Sequence, residues 1–114
     1  MEHEKEIRWM GSAYSDLLEF PAEARRQAGF QLGRVQAVLD PDDWKPFDGA
    51  GAGTREIRIR DASGAFRVMY VAKFEEAVYV LHCFQKHTQA TSRHDKSIAA
   101  ARYRAVVNMR RVRK

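Results

Sequence analysis

Apolar and polar positions divide this chain into a helical front, an irregular middle and a sheet-forming back. From Pro21 to about Leu39, the residues Ala24, Ala28, Leu32, Val35 and Leu39 recur at the spacing of one helix face. This predicts an amphipathic helix that buries them. Pro21 suits its first turn, and Arg25, Arg26, Arg34 and Gln36 fall off the stripe as a solvated face. Ahead of it, Ser12 is placed to cap a short helix through Tyr14, Leu17 and Leu18 that ends before Pro21. Ile7, Trp9 and Met10 make a short first strand, broken at Gly11.

Asp40 and Pro41 stop the long helix, and the pattern stays irregular to about Thr54, with Trp44 and Phe47 pinning a loop to the body. Gly49, Gly51 and Gly53 alternate with alanines. A phosphate-binding glycine loop needs a strand before it and a helix after it. Here the order is reversed, so the stretch reads as a flexible lead-in. Arg55 to Arg60 then alternates strictly, with Ile57 and Ile59 on one side and Glu56, Arg58 and Arg60 on the other. Phe66 to Phe74 and Val78 to Phe84 are rich in aromatic and β-branched residues across a short break at Glu75 to Ala77, the signature of a hairpin. Both arms carry apolar residues at odd and even positions, so both faces should be covered. Ser92 and Asp95 resemble a capping box. The basic helix that follows, through Arg102, Arg104, Arg110, Arg111, Arg113 and Lys114, carries the apolar stripe Ala99, Tyr103 and Val106. The whole is predicted to be one α+β domain over residues 1–114.

Composition narrows the classes. With 45% hydrophobic and 31% charged residues, the chain has the makeup of a globular protein and not of a disordered one. No apolar run is long enough to span a bilayer, and the charged start lacks the apolar core of a signal peptide. The single cysteine, Cys83, has no partner within the chain. A cytoplasmic location is therefore expected. The net charge of +5 permits a polyanionic partner, and its distribution is uneven: from Lys86 onward many cations stand against one carboxylate, Asp95.

Metal and serine chemistry are not indicated. His3, His82, His87 and His94 lack ligand spacing, one cysteine cannot build a zinc ribbon, and no G-x-S-x-G occurs. No cofactor is expected, and His82, alternating with Val80 and Phe84, reads as a hydrogen-bonded core residue. The hairpin holds Arg67 near its start and Lys86 with His87 at its finish, so antiparallel pairing brings these cations to one edge of the sheet. Such an edge suits metal-free phosphoryl chemistry in RNA. Attack by the RNA 2′-hydroxyl needs a base, cations facing the developing phosphorane, and a proton donor for the departing 5′-oxygen. Arg58 and Arg67 offer fixed forks of donors to phosphate oxygens. An imidazole ordinarily titrates near neutrality, which suits His87 to proton transfer, and Lys86 can anchor a phosphate or act as a base. Lys45 and Arg60 are assigned to contact with RNA beyond the reacting group. A plain phosphate-binding patch is the other reading of the same residues.

G-A-F-R-V-M-Y at Gly64 to Tyr70 and V-Y-V-L-H-C-F-Q-K-H-T-Q at Val78 to Gln89 resemble the RelE/ParE toxin superfamily, and more closely its phage-related, HigB-like branch. D-L-L-E-F-P at Asp16 to Pro21, W-K-P at Trp44 to Pro46 and R-E-I-R at Arg55 to Arg58 extend the resemblance over nearly the whole chain. It implies two N-terminal helices packed on a small, mainly antiparallel sheet, with a C-terminal helix. It also implies a ribosome-dependent mRNA endonuclease neutralised by a cognate antitoxin, commonly a helix-turn-helix protein. Arg58, Arg67 and the pair Lys86–His87 fall on the superfamily's basic positions. The branch usually has Lys-Lys at that pair, so His87 is a departure. Tyr103 matches a site tyrosine of the superfamily but reads as core. ParE-like members poison DNA gyrase on the same fold, which keeps a non-nuclease alternative open: gyrase inhibition, or antitoxin binding alone.

Overall fold

The computed structural model describes residues 4–112; His3, Arg113 and Lys114 lie outside that range. Strand β1 (Glu6–Trp9) leads through helices α1 (Ala13–Leu18) and α2 (Ala22–Gln36) to strand β2 (Trp44–Pro46) and a 3-10 turn (Asp48–Ala50). Strands β3 (Thr54–Asp61), β4 (Gly64–Val71) and β5 (Ala77–Lys86) follow, and helix α3 (Arg93–Val112) ends the described chain. The five strands form one sheet in the order β1-β5-β4-β3-β2, antiparallel except where β1 lies parallel to β5. This is the α+β architecture that the sequence leads one to expect.

β4 and β5 are apolar on both faces because both faces are covered. On one side, Ala13 and Leu17 of α1 and Ala24, Ala28, Leu32 and Val35 of α2 pack on Ile57, Ile59, Phe66, Val68, Val78 and Val80. On the other, Ala99 and Val106 of α3 pack on Met69, Val71, Tyr79 and Leu81. A large apolar side chain buried in this way contributes about 1.5–3 kcal/mol. Ser92 Oγ accepts the Asp95 backbone N–H at 3.0 Å, the serine half of the capping box expected at the start of α3, and donates to the Asp95 carboxylate at 2.7 Å.

Several expectations are corrected. α2 ends at Gln36 rather than Leu39, and Val38 takes a left-handed φ of 64°. Leu39 is therefore turned out to solvent, 52% exposed. Pro21 precedes the helix as its cap instead of entering its first turn. β4 stops at Val71, three residues before Phe74, because the hairpin's loop runs from Ala72 to Glu76. Trp44 to Pro46, expected as loop, is an edge strand, its tryptophan directly opposite Ile57. The glycine stretch is also no free lead-in. A Cβ at Gly51 would stand 2.3 Å from the Tyr103 ring, and Tyr103 Oη donates to the Ala52 carbonyl at 2.6 Å. Glycine there is what lets the loop lie flat against α3.

Candidate nucleic-acid interface

Sheet register decides which side chains share the uncovered part of the α3 face. Arg58 on β3 is the direct partner of Arg67 on β4, and Arg60 is the partner of Ala65. Across the next ladder Ala65 pairs with Lys86, and at the sheet edge Lys45 pairs with Glu56. Directly opposed residues of antiparallel strands project to the same face. Lys45, Arg58, Arg60, Arg67 and Lys86 therefore rise together, on the side that carries Met69 and α3.

Lys86 reaches that face through an irregularity in β5. Met69 pairs with His82 but Tyr70 pairs with Val80, leaving Leu81 without a partner. Before this bulge, even-numbered Val78 and Val80 belong to the core beneath α2. After it, Cys83 takes that side, while Phe84 joins the core beneath α3. One extra residue has reversed the phase of the strand. Without it Lys86 would point toward α2, away from Arg67.

The result is an open groove of about 570 Å³ lined by Lys45, Arg58, Arg60, Ala65, Arg67, Lys86, His87, Thr88 and Gln89. All six residues singled out from the sequence line it. Tyr103 does not: it is partly buried against the glycine loop, in the core role assigned to it. His82 is likewise core, stacked on Phe84 with Nε2 2.7 Å from Asp95 Oδ1. Burial pushes its imidazole below the ordinary value, against the pull of Asp95.

Inside the groove the cations differ in setting. Arg67 is nearly enclosed, with 8% of its side chain exposed, whereas 42% of Arg58 meets solvent. One Arg67 Nη donates to the Phe66 carbonyl at 3.0 Å, and its buried Nε has no hydrogen-bond partner. Carboxylates stand near but out of hydrogen-bonding range, Glu56 at 3.6 Å from Arg67 Nε and Asp43 at 3.8 Å from Arg58 Nε. The exposed Arg58 donors therefore stay available to an incoming anion, whereas Arg67 Nε–H is buried toward Glu56. Burial lowers the Arg67 pKa, as do Arg58 and Arg60, while Glu56 opposes them. The Lys86 ammonium is also pushed below its ordinary value, first by burial and then by Arg67, Lys45 and Arg58. Like charges crowded in this way are costly to the fold and favour an anion between them.

Glu56 is the residue that sequence reasoning missed. Its alternation with Arg58 and Arg60 marked it as part of a wet charged face, yet it is wholly buried. Thr91, just before α3, covers it and donates to Oε2 at 3.4 Å. The only signal in the sequence was one acid set among the basic positions of β3. Among the described residues, no group of three or more His, Cys, Asp or Glu side chains could hold a metal ion. No helix there is long and apolar enough to cross a membrane.

A family model described as "Phage derived protein Gp49-like (DUF891)" matches residues 15–104. The chain belongs to this Gp49-like family. The family is a phage-derived group related to RelE/ParE-type toxins, which agrees with the resemblance carried by the hairpin motifs. The match takes in every groove residue and β2 through β5, and starts after β1. No curated protein matches the chain.

Proposed function

We propose that this Gp49-like protein is the toxin of a type II toxin–antitoxin pair, of HigB-like type, and that it cuts mRNA on the ribosome. The observation that carries this reading is the convergence of Arg58, Arg67 and Lys86, from three different strands, on one open groove. A scissile phosphate seated there meets the arginine forks on its non-bridging oxygens. They oppose the charge that grows as the RNA 2′-oxygen attacks phosphorus and the 5′-oxygen leaves. Lys86 and His87, at the end of β5, are the groove's groups able to give and take the two protons involved. Lys45 and Arg60, toward the rim, hold neighbouring phosphates. The products are a 2′,3′-cyclic phosphate and a 5′-hydroxyl, with no enzyme nucleophile and no metal required. The protein acts in the cytoplasm, where a cognate antitoxin, of the helix-turn-helix kind, neutralises it.

The test is a cell-free translation reaction in which mRNA ends are mapped after the protein is added, run beside a gyrase supercoiling assay. New mRNA ends that depend on ribosomes are expected. Intact mRNA with blocked supercoiling would establish the ParE-like alternative instead.

A further inference from the structure

Beside the groove residues Lys45 and Arg67, Glu56 is a charged side chain shut wholly away from solvent. It lies opposite Lys45 in the β2–β3 ladder. Lys45 Nζ stands 3.8 Å from Oε1 and Arg67 Nε 3.6 Å from the same oxygen. Neither distance is a hydrogen bond, and Oε1 is buried without one. Burying a carboxylate in this way is costly unless neighbouring charge compensates for it. Here two groove cations do so through charge alone.

Two exposed or half-exposed ion pairs of the molecule are built differently. Arg110 closes on Glu76 at 2.7 Å and Arg26 on Glu23 at 2.6 Å, and both consume guanidinium donors. The looser spacing around Glu56 attracts Arg67 and Lys45 by charge and leaves Arg67 Nε–H unbonded.

We propose that Glu56 is a positioning residue, a buried counter-charge that holds the Arg67 Nε side and the Lys45 ammonium by charge, so that the outer Arg67 Nη groups and Lys45 Nζ are left to a phosphate. This rests on reading the groove as a phosphate site. Burial keeps Glu56 off the substrate, so it is neither acid nor base in the reaction. Its loss has two opposite consequences. The groove becomes more positive, which favours any polyanion. Arg67 loses its anchor, which harms only those steps that need its geometry.

Glu56→Gln keeps the shape and removes the charge; Glu56→Asp keeps the charge. The probe is a single-stranded oligoribonucleotide 2′-O-methylated throughout, which binds without being cut, titrated at several salt concentrations. The Arg67 Nε–H resonance is followed by NMR, and ribosome-dependent mRNA cleavage is measured in parallel. For Glu56→Gln, binding about threefold tighter with a steeper salt dependence is expected, with a displaced Arg67 resonance and cleavage slower by about tenfold. Glu56→Asp is expected to restore the parental affinity and salt dependence. Parental or weaker binding by Glu56→Gln, with the Arg67 resonance unmoved, overturns the proposal. Should Glu56→Gln not fold, Glu56→Asp decides: it keeps the charge but draws the carboxylate back by one methylene, so a displaced Arg67 resonance supports the proposal and an unmoved one overturns it. A parent that neither binds the probe nor cuts mRNA removes the phosphate reading, yet the Arg67 resonance still reports whether Glu56 anchors that guanidinium.

Discussion

Arg58 and Arg67 are directly opposed partners in the β3–β4 ladder, two guanidinium side chains on the same face of the sheet. Like charges placed opposite each other destabilise an antiparallel pair, by roughly 0.2–1 kcal/mol. Nothing in the packing requires this arrangement, since Arg58 is largely open to solvent. Replacing it with threonine, a good strand former, should raise stability by about 0.5 kcal/mol and abolish translation inhibition. Thermal unfolding and a growth-arrest assay of Arg58→Thr check both halves; a variant that stays toxic removes Arg58 from the site.

His87 stands where the HigB-like resemblance implies a lysine, so Lys is the informative substitution. If His87 exchanges protons with the RNA, His87→Lys should keep oligonucleotide binding near the parental level and change the pH dependence of cleavage. A pH–rate profile that superimposes on the parent's assigns His87 a purely electrostatic part.

A third prediction concerns the far end of the hairpin, where Glu76 lies in the loop and accepts from Arg110 of α3 at 2.7 Å. That hydrogen bond, reinforced by one from Tyr79, lowers the Glu76 carboxyl from 4.5 to about 2. A carboxyl depressed in the folded state stabilises the fold above its unfolded value and ceases to do so as pH falls through its folded value. The parent should therefore lose stability between about pH 4.5 and 2. Both side chains are about one-third exposed, so the effect is modest. Urea unfolding across that window should show a shallower decline for Arg110→Ala.

Gly51 is predicted to be intolerant of any side chain. The Tyr103 ring occupies the place of a Cβ, so Gly51→Ala should cost about 1–3 kcal/mol. Adding Tyr103→Ala should recover part of that loss, a non-additivity that a double-mutant cycle measures.

The helices, the three-strand meander and the capping box were legible because each depends on local spacing: Ala24, Ala28, Leu32 and Val35 at helical period, Arg55 to Arg60 at period two, Ser92 with Asp95 at a fixed interval. The six groove residues were legible by type, and Arg58, Arg60, Arg67 and Lys86 also by strand position. What places Lys86 among them was not. β5 is apolar at both parities, so its sequence carries no mark of the bulge at Leu81 that turns Lys86 to the Arg67 side. The same limit hid Glu56, whose burial depends on Thr91, which lies 35 residues further along the chain. The edge strand Trp44 to Pro46 was missed because three residues are too short for a period, and its register is set by β3.

The central claim is that cations from separate strands hold one scissile phosphate, and Arg67→Lys tests it most directly because charge is kept while the fork of donors is lost. The measurement is the amount and terminal chemistry of mRNA fragments released in cell-free translation, for variant and parent, with unfolding temperatures compared alongside. The account predicts fragments ending in 2′,3′-cyclic phosphate from the parent, and at least about tenfold fewer from a folded Arg67→Lys. Equal cleavage by the two proteins, or a parent that leaves mRNA whole, would contradict it.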